Sequence, residues 1–191
     1  MKKNILIACL AAGLFACNQP ETTTENTSDT EEMTVNVYEG LNQEELKAKV
    51  LEIEGKVFQG EGNMDVTSAN MLIEGYVKYA EAYPNDKESA DFVFKAAEIS
   101  LGLNQGPTAL ALYSKVYKDF PDFEKRPYSL FLQAFVFENN LGKLEEAKVI
   151  YEQFITDYPD HPMADDAQYS LDNLGKSPDE LIKEFEAKQQ K

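Results

Sequence analysis

The chain has 191 residues, 43% of them hydrophobic, which is enough for one domain with its own core. Its 34 acidic and 18 basic residues give a net charge of -16, so a phosphate backbone is repelled and nucleic acid is excluded as a natural partner. One His, two Cys and no Trp leave too few ligands for a thiol-based metal site and too few cysteines for a disulfide framework.

The chain opens MKKNILIACLAAGLFAC. Lys2 and Lys3 form a positive start, and Ile5 to Phe15 an apolar run of secretory-signal length, too short for a stable bilayer span. The ending Leu14-Phe15-Ala16-Cys17 resembles the lipobox of bacterial lipoproteins, with Cys9 as a weaker second candidate. The resemblance implies cleavage before Cys17, diacylation of its sulfur and acylation of the new amino terminus. Several acyl chains anchor firmly, since each buried methylene contributes about 0.8 kcal/mol. Residues 1–16 are therefore expected to be a lipoprotein signal peptide, and Cys17 the membrane attachment. Residues 17–41 are rich in Thr, Asn and Glu and are expected to be an acidic, disordered tether.

From residue 42 the pattern is helical. Helices are expected at about 43–59, 66–82, 87–103, 107–119, 126–140, 143–157, 162–174 and 178–189. The loop QGEGNMD separates the first two. The last begins Ser177-Pro178-Asp179-Glu180, a capping box with Pro at the first helical position. Its Leu181, Ile182 and Phe185 form one apolar strip, and it is expected to act as a C-terminal cap.

Three stretches repeat one another: YVKYAEAYP over residues 76–84, YSKVYKDFP over 113–121 and YEQFITDYP over 151–159. Pro84, Pro121 and Pro159 lie 37 and 38 residues apart, the scale of helical-hairpin arrays. A Tyr stands eight residues before each proline and an aromatic immediately before it, all on one helical face. The proline then ends the helix.

These stretches resemble the tetratricopeptide repeat, whose pattern is a small residue, an aromatic four later and a Pro eight after that. Ala109, Tyr113 and Pro121 match it, as do Ala147, Tyr151 and Pro159; Leu72 replaces the small residue in the first copy. Leu141 to Ala147 matches the hairpin turn, whereas Phe131, Ala134, Phe135 and Glu138 give a degenerate first-helix signature. The period exceeds the family's usual length, which implies longer turns between repeats. The run YPDHPMADDAQYSL is similar to outer-membrane repeat lipoproteins such as BamD and the cell-division coordinator of the Tol-Pal system. The fold implied is an all-α, tetratricopeptide-like solenoid of three to four hairpins over residues 42–191.

No chemistry-bearing constellation appears. His161 sits in a turn without a second His, a Cys or a nucleophile beside it and reads as a solvent-exposed turn residue. Asp165 and Asp166 do not face one point on a helix and suit its N-terminal dipole. No phosphate-binding glycine loop is present. The expectation is a protein without enzyme activity, cofactor or metal. It is a lipid-anchored envelope scaffold, in the outer membrane and facing the periplasm or the surface, that takes a protein or peptide partner. The alternative is a carbohydrate-binding or uptake-associated lipoprotein. The acidity favours a basic partner segment. In the repeat family the first helix of each hairpin lines a concave groove. Counting back from Ala109 and Ala147 places Phe94, Glu98, Leu132, Val136 and Asn140 there.

Overall fold

The computed structural model describes residues 37–59 and 65–189. The expected signal peptide, Cys17 and residues 17–36 of the tether lie outside the described residues. Among those described there are eight helices and no strand: α1 Gln43–Gln59, α2 Val66–Ala82, α3 Ser89–Gly102, α4 Gly106–Asp119, α5 Arg126–Asn139, α6 Leu144–Asp157, α7 Ala164–Asp172 and α8 Pro178–Gln189. Each helix from α1 to α6 packs on the next in sequence. We call α1, α3, α5 and α7 the A helices and α2, α4, α6 and α8 the B helices of successive hairpins.

The prolines act as the sequence predicts, and they act identically. Tyr83, Phe120 and Tyr158, each just before its proline, leave helical geometry at nearly the same angles: φ -131, -123 and -135°, ψ 61, 71 and 54°. That is outside the α region, which a following proline ring disfavours. Each inter-hairpin turn then repeats two backbone bonds. Asp86, Phe123 and His161 donate N–H to the carbonyls of Tyr83, Phe120 and Tyr158. Ser89, Arg126 and Ala164 donate to Asp86, Phe123 and His161. The turns consume residues that the pattern assigned to helix, so α3 and α7 are shorter than expected. Asp65 caps α2 by accepting from Thr67 and Ser68 N–H, and Ser177 and Glu180 form the expected reciprocal box at α8.

The core is a line of rings running through the hairpins. Phe94 meets Tyr113, and Phe131 meets Tyr151, with centroids 5.7 Å apart in both cases. Tyr76 and Tyr79 of α2 both meet Phe92 of α3. Ala109 and Ala147 are fully buried, as expected of small residues where paired helices approach closely. His161 differs from expectation. It is half-buried, edge-on to Phe154, and its Nδ1 accepts the Met163 N–H, so it packs the turn instead of facing water.

The packed region begins before residue 42. Val37 and Leu41 lie against the core, and Tyr38 is buried on α2, where its hydroxyl donates to the Met71 carbonyl at 2.7 Å. Burial, with Glu74 adding, pushes the Tyr38 hydroxyl up to about 12, so it stays protonated and able to donate. Gly75 makes this docking fit: a Cβ there would lie 2.6 Å from the Tyr38 hydroxyl oxygen. The last five residues assigned to the tether thus belong to the folded unit, because Tyr38, with Val37 and Leu41 beside it, fills the notch that Gly75 leaves.

Two outcomes follow. Ala147→Leu overpacks the α5–α6 contact and lowers the unfolding free energy by about 1–3 kcal/mol in urea titration. Gly75→Ala destabilises the native chain by displacing Tyr38. In a Tyr38→Ala background the same change stabilises, by about 0.5–1 kcal/mol, because only the helix preference of alanine remains.

Candidate partner-binding face

The A helices leave one stripe at the surface. On α3 it is Asp91, Lys95 and Glu98, at i, i+4 and i+7, with the rest of the helix largely buried. One 37-residue step on, the period of the first two prolines, α5 presents Tyr128 and Phe135, with Leu132 buried between them. On α1 the corresponding side carries Lys47, Leu51, Glu54 and Phe58. Ion pairs knit these helices laterally: Lys47 to Glu88 at 2.6 Å, Lys95 to Glu54 at 3.1 Å and Lys125 to Asp91 at 3.2 Å. Lys95 also reaches Asp91 within its own helix. Each pair is partly open to water, so it contributes modestly, but the pairs share partners and fix the α1–α3–α5 side-by-side arrangement. Lys95 lies over the rings of Tyr76 and Phe92, and Lys125 over Phe94. Burial alone would lower the pKa of Lys95. The hydrogen bond to Glu54 and the charges of Glu54 and Asp91 more than offset it, and the net shift is upward.

Beside this ion network three large apolar side chains stand open: Leu51 and Phe58, 45% and 57% exposed, on α1, and Phe135, 37%, on α5. They do not contribute to closing any hairpin. A second feature is an apolar groove of about 570 Å³ between α4 and α6. Its walls include Leu110, Ala111, Tyr117 and Ile150, and Leu130 and Phe137 of α5 form its floor. Arg126 stacks on Tyr117, donates to the Tyr117 carbonyl and to the Tyr158 hydroxyl, and so ties α4, α5 and the turn after α6 together.

The residues expected to line the groove are distributed differently. Phe94 and Val136 are sealed in the core at 1% and 0% exposure, and Leu132 is buried at 8%. Phe94 contacts Tyr113, Phe123 and Tyr128 and has no face to offer a partner. Asn140 lies in the α5–α6 turn, where its amide donates to Asn104 in the neighbouring turn at 2.9 Å. Of the five, Glu98 is the one exposed on the A-helix face. Phe94, counted within the α3–α4 hairpin, falls on the inward face of α3; the misplacement of Val136 has a simple cause. The turn between α5 and α6 has one residue more than that between α3 and α4, so counting back from the alanines shifts the register. Counting forward from the prolines finds the stripe, and would have found Lys95 and Phe135.

Among the described residues no group of three or more His, Cys, Asp or Glu is placed to hold a metal ion, and no helix is long and apolar enough to cross a membrane. The family model of the tetratricopeptide repeat matches residues 128–161, which run from the first turn of α5 through α6 to the turn at His161. The chain folds as a tetratricopeptide-like helical solenoid. The α3–α4 hairpin and the turns after α2 and α4 reproduce the matched segment's turn bonds, proline and buried alanine. Repeats of this kind generally mediate protein–protein interaction. No curated protein matches the chain.

Glu98 yields a test by pH. Burial pushes its carboxyl above the ordinary carboxylate range; Lys125 and Lys95 hold it back, and Asp91 adds to the rise. The folded state therefore favours the protonated form. The contribution of Glu98 to stability is complete below its unfolded pKa, about 4.3, and is lost as pH rises through the higher folded value. Glu98→Gln is expected to raise the urea midpoint at pH 7, with the advantage fading as pH falls towards 4.

Proposed function

We propose that this chain is a lipid-anchored scaffold of the cell envelope that holds a protein or peptide partner on its A-helix face. The observation that carries the reading is the exposure of Leu51, Phe58 and Phe135 around an ordered network of Lys and Glu, on the face the hairpins do not use to pack on one another. Apolar anchors beside charged groups suit a segment that buries side chains at a few points and is oriented by its charges. The net charge of -16 and the open Glu98 carboxylate favour a basic segment, with association faster at low salt. The Leu14-Phe15-Ala16-Cys17 ending supports a lipoprotein anchored through Cys17, and the similarity of the repeats to outer-membrane lipoproteins supports that membrane, facing the periplasm.

Photoreactive residues at positions 51 and 135 are expected to crosslink a common protein partner in cells, while one at position 149, exposed on α6, does not. Crosslinking confined to position 149, or none at all, overturns the face. Cys17→Ala is expected to move the protein out of the detergent phase and leave its α-helical circular dichroism unchanged. A mature protein carrying no lipid on residue 17 removes the anchor.

A further inference from the structure

The α7–α8 hairpin is where the repeat pattern fails, and it fails on both helices. Ten residues after each proline stands an aromatic: Phe94, Phe131 and Tyr169. The first two are buried beneath the ring of their own B helix. Tyr169 is 63% exposed. Thirteen residues after each proline stand Ala97 and Ala134, both fully buried, and then Asp172. On the facing side, α8 has no small residue before Ala187 to match Ala109 and Ala147. The close approach that joins α3 to α4 and α5 to α6 therefore has no counterpart here, and Ile182 and Phe185 stand 56% and 62% exposed.

The connection sets this arrangement. Gly175 turns at φ +76°, close enough to Leu144 that a Cβ there would lie 2.8 Å from its Cδ1. Lys176 bonds Asn173 at 3.2 Å and pairs with Glu184 of α8 at 2.8 Å, and Ser177 and Glu180 cap the helix. Loop and helix start are tied to each other and to α6.

One region thus presents both halves of an unmade contact: an aromatic that elsewhere lies under a B helix, and a B helix whose Ile182 and Phe185 stand open. Such a surface is self-complementary, the condition for a two-fold interface. We propose that α8 completes α7 of a second copy of this chain, its Ile182 and Phe185 covering the partner copy's equivalent of Tyr169, and the reverse. Lys183, beside the strip, then faces α7, which carries Asp165, Asp166 and Asp172 and no basic residue. The whole-chain charge opposes the encounter, so this contact has an unusual signature. It strengthens as salt rises, because raising ionic strength from about 0.01 to about 0.1 M cuts the screening length from roughly 30 to roughly 10 Å. A basic partner docking on the same strip would weaken instead.

The test uses the full chain, co-expressed with two different tags and carrying a photoreactive residue at position 185. The expected product has twice the chain mass, carries both tags, maps to residues 164–172 and increases with salt. Tyr169→Ala is expected to reduce it by about tenfold or more, since a two-fold interface contains the ring contact twice. With the photoreactive residue moved to 182, Phe185→Asp abolishes the product. Both sites are exposed, so helical circular dichroism is unchanged in both variants. An adduct within one chain, an adduct solely with a different protein, or no adduct overturns the proposal.

Discussion

The arrangement of this chain depends on one contact made twice: an A-helix ring lying against a B-helix tyrosine, Phe94 with Tyr113 and Phe131 with Tyr151, at the same 5.7 Å. Neither helix of a hairpin can hide its apolar face alone. The ring pair joins the two, and the buried alanine beside the tyrosine lets the backbones come close enough for it to form. Because the rings must recur on the inward side of every hairpin, the chain between them has a set length. The turns that hold each proline are six residues long in every case, and the one-residue difference in period falls in the α5–α6 turn. The result is a nearest-neighbour structure in which each helix answers to the next.

The same constraint decides what remains for a partner. Most of the aromatic residues are consumed by the ring line, so aromatic wealth here signals packing. What reaches the surface is the single stripe the helical period leaves over. On α3 that stripe is charged, and the lysines within it or beside it, Lys47, Lys95 and Lys125, are paired with carboxylates of adjacent elements. Their charge is spent on holding A helices side by side. The long-range field stays acidic even where the local surface carries cations, and the apolar side chains at positions 51, 58 and 135 border a face that is ordered before anything binds.

Much of the fold was legible because its signals are local. A proline forces the residue before it out of helix, Asp65 and Ser177 start helices by accepting backbone N–H groups, and a Tyr eight residues before a proline marks an inward face. The candidate site was legible only in part because its register is not local. One additional residue in the α5–α6 turn rotates the inferred stripe of α5, which moved the expectation from Phe135 to the sealed Val136. Tyr38 was illegible for a different reason. Its burial depends on a notch made by Gly75, and nothing in the short stretch around residue 38 points to a glycine that distant in sequence. The exposure of α8 could be read only by asking which repeat positions had lost their small residues, Asp172 being the clearest.

In a nearest-neighbour stack, the stability of a hairpin is its own closure plus the interfaces it shares. The α3–α4 and α5–α6 hairpins have both closure and an interface on each side. Among the described residues no hairpin precedes α1–α2, and the segment Val37–Leu41 packs there: Tyr38 covers α2 with a ring and a hydrogen bond to the Met71 carbonyl. The α7–α8 hairpin has no such segment among the described residues and has also lost the small residues that would close it. Its free energy of opening is therefore the lowest of the four, while the ring line that holds α3 to α6 is unaffected by what it does. Adaptation at α7 and α8 is inexpensive where it is costly at Ala147, because among the described residues no other hairpin relies on the α7–α8 contact.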